Sequence, residues 1–208
     1  LKSGSNRAAR SPRPSPLRGA MGGPCLLRPT TASGAAGAKA IIGPSCTDNF
    51  QSAPFEVDGL EYQSVEQAYQ SLKFVDPAVR EKKRKVMKKP TDNDSAFGMR
   101  CWQAAHSAAA AKLRKDFEAV KVESMYRFMR AKYDQHPELQ RELLATMGSD
   151  IEGGPSTIWT SKKTGKKHRW QDWNALIQIR IREELSAPNS GLLAGFEACA
   201  EWTKVANF

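Results

Sequence analysis

Glu66 and Lys73 stand seven residues apart. If the chain between them is helical, they share one face, about 10 Å apart along the axis. Tyr69 and Gln70 lie between them on that face. A carboxylate can move protons, an amine can attack an electrophilic carbon, and a phenol and an amide can orient what lies between. Spacing alone favours a plainer reading, a polar surface stripe beside a core stripe. A second cluster gathers Trp159 with Trp170, Asp172, Trp173 and Asn174, around a basic segment from Ser161 to Arg169. Indoles stack on flat bases, and lysine and arginine meet phosphates. The same residues read equally well as core anchors around a solvated loop.

Other chemistries find little support. The four cysteines (Cys25, Cys46, Cys101, Cys199) form no C-x-x-C pair, so neither a disulfide framework nor a thiolate metal site is expected. His106, His136 and His168 are far apart, and no H-E-x-x-H is present. No metal and no cofactor are expected. No apolar run reaches the roughly 20 residues of a membrane span, so no membrane association is expected.

The chain has 208 residues and a formal charge of +10, which suits one domain and a tail. Residues 1 to 47 hold seven basic groups, no acid, six of the twelve prolines and no aromatic residue. From Asp48 onward there are 25 basic and 22 acidic residues, so the remainder is nearly balanced. We therefore expect a disordered tail over 1–40 and a folded domain over 41–208. The tail reads equally as low complexity or as an organelle transit peptide, giving a cytoplasmic or an organellar address. A claim of nucleic-acid binding from the charge alone is weak, because much of the excess lies in the tail.

The elements that must position the stripe are legible in part. Ala53–Val57 and Leu60–Tyr62, parted by Asp58-Gly59, read as a hairpin. Ser64 and Gln67 form a capping box that opens a helix to about residue 75. Further helices are expected over about 77–89, 95–111, 114–134, from Pro137 to Gly148, and over 174–185, with a last one over 191–205. Residues 149–171 read as loop. The basic run from Arg80 to Lys89 reads chiefly as a solvated face, and Phe117, Val120, Met125, Phe128 and Met129 as a core stripe. The expected fold is α+β: a mostly helical single domain with a small hairpin element.

Taken together, these segments resemble the NADAR family, also called YbiA-like. The likeness runs through Asn49-Phe50, Pro54 to Tyr62, Ser64 to Phe74, Val122 to Tyr126, Arg130 to Tyr133, His136 to Leu139, Leu143 to Thr146, Trp159, Trp170 to Asn174, and Arg180 to Leu185. It covers about residues 47 to 186. The resemblance implies an N-glycosidase, acting either on early riboflavin-pathway intermediates or on ADP-ribosylated guanine. It carries the family's acid onto Glu66 and its lysine onto Lys73, the Asn-Phe pair onto Asn49 and Phe50, the pocket tryptophan onto Trp159, and the C-terminal motif onto Asp172, Trp173 and Asn174. Tyr69 and Gln70 join the substrate-binding set from the stripe itself. Gln67 stands where the family commonly has histidine, and Ala175 where it commonly has glycine. The loop after Trp159 is basic where bacterial members are rich in glycine and aspartate.

The expected reaction is hydrolysis of a base–ribose bond through Glu66 and a Schiff base on Lys73, with ADP-ribosylated guanine, in a nucleotide or in nucleic acid, as the first substrate. Phosphorylated riboflavin-pathway intermediates are the alternative. A reading of another class is a non-catalytic module that binds ADP-ribose or a nucleotide. No stable protein partner is expected.

Overall fold

The computed structural model describes residues 23–30, 39–107, 113–154, 158–160 and 167–186. Seven short strands and six helices follow one another: β1 (Leu26–Pro29), β2 (Ile41–Ile42), β3 (Phe55–Val57), β4 (Leu60–Tyr62), α1 (Val65–Leu72), α2 (Pro77–Arg84), α3 (Asp94–His106), α4 (Phe117–Gln135), α5 (Pro137–Leu144), β5 (Ser149–Glu152), β6 (Ile158–Thr160), β7 (Lys167–Arg169) and α6 (Trp170–Ser186). The class is the expected α+β. The strands form three small antiparallel groups: β2-β1-β5, the β3-β4 hairpin and the pair β6-β7. Asp58 and Gly59 both have positive φ, as a two-residue hairpin turn demands.

Local chemistry explains the helix starts. Ser64 accepts a hydrogen bond from the Gln67 N–H at 3.2 Å, while Gln67 Oε1 accepts from the Gln63 N–H at 2.6 Å. This is a near-reciprocal cap displaced by one residue. Asp76 caps α2 through the N–H groups of Ala78 and Val79, with Pro77 in the first turn. Asn93 caps α3 at the Ala96 N–H.

The core collects on α4. Phe128 meets Phe55 and Tyr62 with ring centroids 6.5 and 5.9 Å apart. Val65, Ala68 and Leu72 of α1, Met125, Met129 and Tyr133 of α4, Leu139 and Leu143 of α5, and Ile177 and Ile181 of α6 complete it. The methionine and phenylalanine stripe of α4 is therefore packing.

Two expectations are corrected. The segment read as tail contributes β1, which pairs Leu26 to Pro29 with Glu152 to Ser149 of β5. The stretch after 148 read as loop contains β5, β6 and β7. Each error hid the other, because β1 and β5 are too short to announce themselves and exist by pairing. The helix expected over 191–205 lies outside the described residues. Helices α2 and α3 end earlier than expected, at Arg84 and His106.

Most of the basic run from Arg80 to Lys89 is a solvated face, as expected, with Lys83 turned inward. Lys83 is buried and donates to the Ala104 carbonyl near the end of α3. Arg84 makes a two-pronged contact with Glu81, and Lys88 pairs with Asp94.

The feature that fixes the site is a clamp on the short 3-10 turn Ser45–Thr47, which sits between β2 and β3. The Cys46 carbonyl receives the buried Lys132 ammonium at 2.6 Å and faces the Tyr133 hydroxyl at 2.9 Å. The Thr47 carbonyl accepts from the Asn174 amide at 3.0 Å, and Gln178 lies against both Asn174 and Tyr133. Burial lowers the Lys132 pKa to about 8. We expect Tyr133→Phe to cost about 1–3 kcal/mol, because it leaves buried polar partners unsatisfied. Urea denaturation should show a lower midpoint with an unchanged slope.

Candidate active site

The stripe forms one wall, buried at Glu66 and Gln70 and half-buried at Tyr69 and Lys73. Glu66, on the first turn of α1, is almost wholly buried and accepts a hydrogen bond from the Gln70 amide at 2.7 Å. Its own N–H donates to the Asn49 carbonyl at 2.9 Å, which docks the loop after the 3-10 turn onto the helix start. Lys73 is the C-terminal cap residue of α1, and its carbonyl accepts from the Arg114 N–H at 2.8 Å. Its ammonium nitrogen lies 5.4 Å from the centre of the Tyr69 ring and 5.8 Å from that of Phe117. Those two rings are 5.6 Å apart.

Two buried acceptors stand beside this wall. Among the described residues, neither Asn49 Oδ1 nor Gln70 Oε1 has a hydrogen-bond partner. Unpaired buried acceptors are costly and are uncommon away from functional sites. Phe50 completes this part of the wall. Its ring lies against Gly98 of α3, where a methyl group would come within 2.3 Å of it.

The electrostatics push both reactive groups toward neutrality. Burial raises the Glu66 carboxyl to about 7, against the opposing pull of Lys73 and the Gln70 hydrogen bond. Burial likewise lowers Lys73, against the pull of Glu66. No carboxylate lies within ion-pair distance of Lys73 among the described residues, so the two groups feel each other through space without a direct bridge. Desolvation outweighs pairing on both sides. Both shifts run toward a carboxylic acid and a free amine, the state that acid-assisted nucleophilic attack requires.

Of the ten residues singled out in the sequence, six meet here: Asn49, Phe50, Glu66, Tyr69, Gln70 and Lys73. The C-terminal trio differs. Asn174 is committed to the Thr47 carbonyl, Trp173 is buried in the core, and Asp172 is exposed in the first turn of α6. Asn174 thus supports the loop from behind, and Trp173 packs in the core. Trp159 stands in β6 with its backbone paired to His168, and its side chain lies outside the described residues. Most of the basic loop after it, 161–166, also lies outside them.

Gln67, the residue that departs from the family pattern, lies on another face of α1. Its amide donates to the carbonyls of Arg84 and Val86. Ala175 is buried in the core. Neither departure touches the stripe.

Sequence reading missed several groups. Asp48 and Cys101 lie within electrostatic reach of Glu66, and His106 within that of Lys73. The His106 ring stacks on Trp102 with centroids 3.8 Å apart. Phe117 was read as core. No motif spacing flags such neighbours, because α3 and α4 bring them in from distant sequence.

A family model for the NADAR domain matches residues 42–185. The chain belongs to the NADAR domain family. It is 35% identical over 98 residues to the N-glycosidase YbiA of Escherichia coli K12 and, equally, to that of Shigella boydii. That stretch is 47% of this chain and 55% of those proteins, so the chain spans about half the length of the curated relatives it matches. The NMR structure of Escherichia coli YbiA superposes with a TM-score of 0.50 at 26% identity, over 69% of this chain and 79% of that one. This NADAR domain thus shares its α+β fold with YbiA.

Two substitutions test the site's packing and charge. Gly98→Ala would gain up to ~1 kcal/mol of helix propensity in isolation. Because the Phe50 ring blocks the new methyl, we expect a lower melting temperature instead. The second concerns pH. Between the ordinary glutamate value of 4.5 and about 7, the unfolded chain has released the Glu66 proton while the native chain keeps it. The contribution of Glu66 to stability therefore falls as pH rises through that window and levels off above it. Glu66→Gln removes this dependence. Urea melts should show the variant gaining on the parent from pH 4.5 to 7.

Proposed function

We propose that this NADAR domain is an N-glycosidase that releases a nucleobase from ribose, with Lys73 as nucleophile and Glu66 as the proton-moving acid and base. The observation that carries the reading is a buried carboxyl and a buried amine on one helical stripe, each pushed toward its neutral form. The likeness to proteins named N-glycosidase YbiA supports the reaction class.

In the proposed sequence the neutral Lys73 amine forms a bond to the sugar C1 carbon as the base–carbon bond breaks. The leaving base takes the Glu66 proton. The Glu66 carboxylate then removes a proton from the new ammonium and passes it to the ring oxygen. The ring opens and leaves a protonated Schiff base. Water adds to the carbon and gives its proton to Glu66. A last transfer through Glu66, from the new hydroxyl to nitrogen, breaks the carbon–nitrogen bond. Lys73 returns as an amine and Glu66 as an acid, and the sugar leaves as its aldehyde. Positive charge on C1 and the ring oxygen develops next to a carboxylate that burial shields from water, where such pairing lowers a barrier most.

ADP-ribosylated guanine is our first substrate. Guanine and ribose both present N–H or O–H donors, and the unpaired oxygens of Asn49 and Gln70 call for donors. Tyr69, Phe50 and Trp159 are proposed to bear on the base or sugar.

The test is borohydride trapping with ADP-ribosylated guanine, run beside an assay on phosphorylated riboflavin-pathway intermediates. The expected result is a sugar adduct on Lys73 by mass spectrometry. Lys73→Ala should lose turnover on the order of 10³-fold or more. Trapping only with the riboflavin-pathway intermediates would replace the substrate and keep the mechanism. Tight binding of ADP-ribose with no turnover would overturn the reading in favour of a binding module.

A further inference from the structure

The mechanism leaves one question about Glu66: what keeps a proton on it when a lysine is near? Burial is the larger part of the answer, and the residue before the Asn-Phe pair adds to it. Asp48 Oδ1 accepts hydrogen bonds from the Phe50 N–H at 2.9 Å and from the Gly23 N–H at 3.2 Å. One oxygen thus bridges the loop that carries Asn49 and Phe50 to the segment that leads into β1. The adjoining residue docks on α1 through the bond from the Glu66 N–H to the Asn49 carbonyl. Cys25, at the start of the same segment, donates its N–H to Thr47 Oγ1 at 2.9 Å, which ties this segment to the loop a second time.

We propose that Asp48 is a positioning residue that fixes the Asn49–Phe50 loop between β1 and α1 and sets a standing negative charge behind Glu66, holding the shared proton on Glu66 and leaving Lys73 free. The inference rests on the reading of Glu66 and Lys73 given above. It also gives β1 a function, since Gly23 and β1 lie outside the stretch 42–185 that the family model matches.

The surrounding charges agree. Glu66 is faced by Lys73 and Tyr69 from its own helix, by Asp48 from the loop and by Cys101 from α3. Asp48 is faced by Lys132 from α4, Asp94 from α3 and Cys25 from the edge of β1. Burial raises the Asp48 pKa, while two N–H donors and Lys132 oppose that effect and favour the anion. Asp48 pushes Glu66 upward, whereas Lys73, among the described carboxylates, responds to Glu66. The charge therefore adds to burial at the acid, and the proton held there is one that Lys73 need not carry.

The experiment follows the Glu66 side-chain carboxyl carbon by NMR titration of the full chain, in the parent and in Asp48→Asn. Asparagine keeps an oxygen that accepts both N–H bonds and removes the charge. We expect the Glu66 midpoint to move to lower pH. We also expect the plateau rate on ADP-ribosylated guanine to fall by about three- to tenfold, with the acid limb of the rate profile moving the same way. An unmoved Glu66 midpoint in folded Asp48→Asn overturns the proposal. Should that variant not fold, the parent alone decides: its Glu66 carbon must show a second, smaller inflection where Asp48 titrates, and a single inflection overturns the proposal. A midpoint that moves in a chain that turns over no ribosyl substrate supports the coupling and sinks the proposed function, so the two failures are told apart.

Discussion

Two backbone carbonyls, those of Cys46 and Thr47, organise the molecule. Both point inward, and both must find donors where water does not reach. Lys132 and Tyr133 on α4 and Asn174 on α6 supply them. Because these donors come from helices distant in sequence, the contact is also a tertiary lock. It fixes the 3-10 turn, the turn fixes Asn49 and Phe50, and the Asn49 carbonyl fixes the first turn of α1. A lysine buried for this purpose loses most of its hydration. The hydroxyl, amides and carbonyl around it compensate only as a complete set.

The second organising constraint is desolvation. Glu66 and Lys73 sit on a helix whose other faces are core, so neither can reach bulk water easily. Aromatic rings beside Lys73 would favour its ammonium form through their quadrupoles. Yet burial dominates, because Tyr69 and Phe117 also keep water away. The same wall makes Asn49 and Gln70 poor neighbours for empty space and good ones for a polar ligand.

The sequence made the helices legible where capping chemistry and apolar spacing agreed, as at Ser64, Asp76 and Pro137. It made the hairpin legible through Asp58-Gly59. It also brought Glu66, Tyr69, Gln70 and Lys73 onto one face by helical period alone, and the Asn-Phe pair by likeness to a family. It failed for β1 and β5, whose apolar content is too slight to signal strands. It said nothing of the Asn174 bond to the Thr47 carbonyl, because an amide that serves a carbonyl and one that serves a ligand look alike in a motif. Asp48 was passed over, since its meaning comes from Gly23 and Glu66, neither of them a sequence neighbour.

The position of β1 also bears on where the domain should be cut. A version trimmed to the family boundary at residue 42 would strip β5 of its antiparallel partner from Ser149 to Glu152 and leave a bare row of N–H and C=O groups. Such an edge recruits strands from other molecules. The remaining chain would retain every residue of the reactive stripe and still carry an unpaired edge, so a family profile can enclose candidate chemistry and omit the strand that covers it.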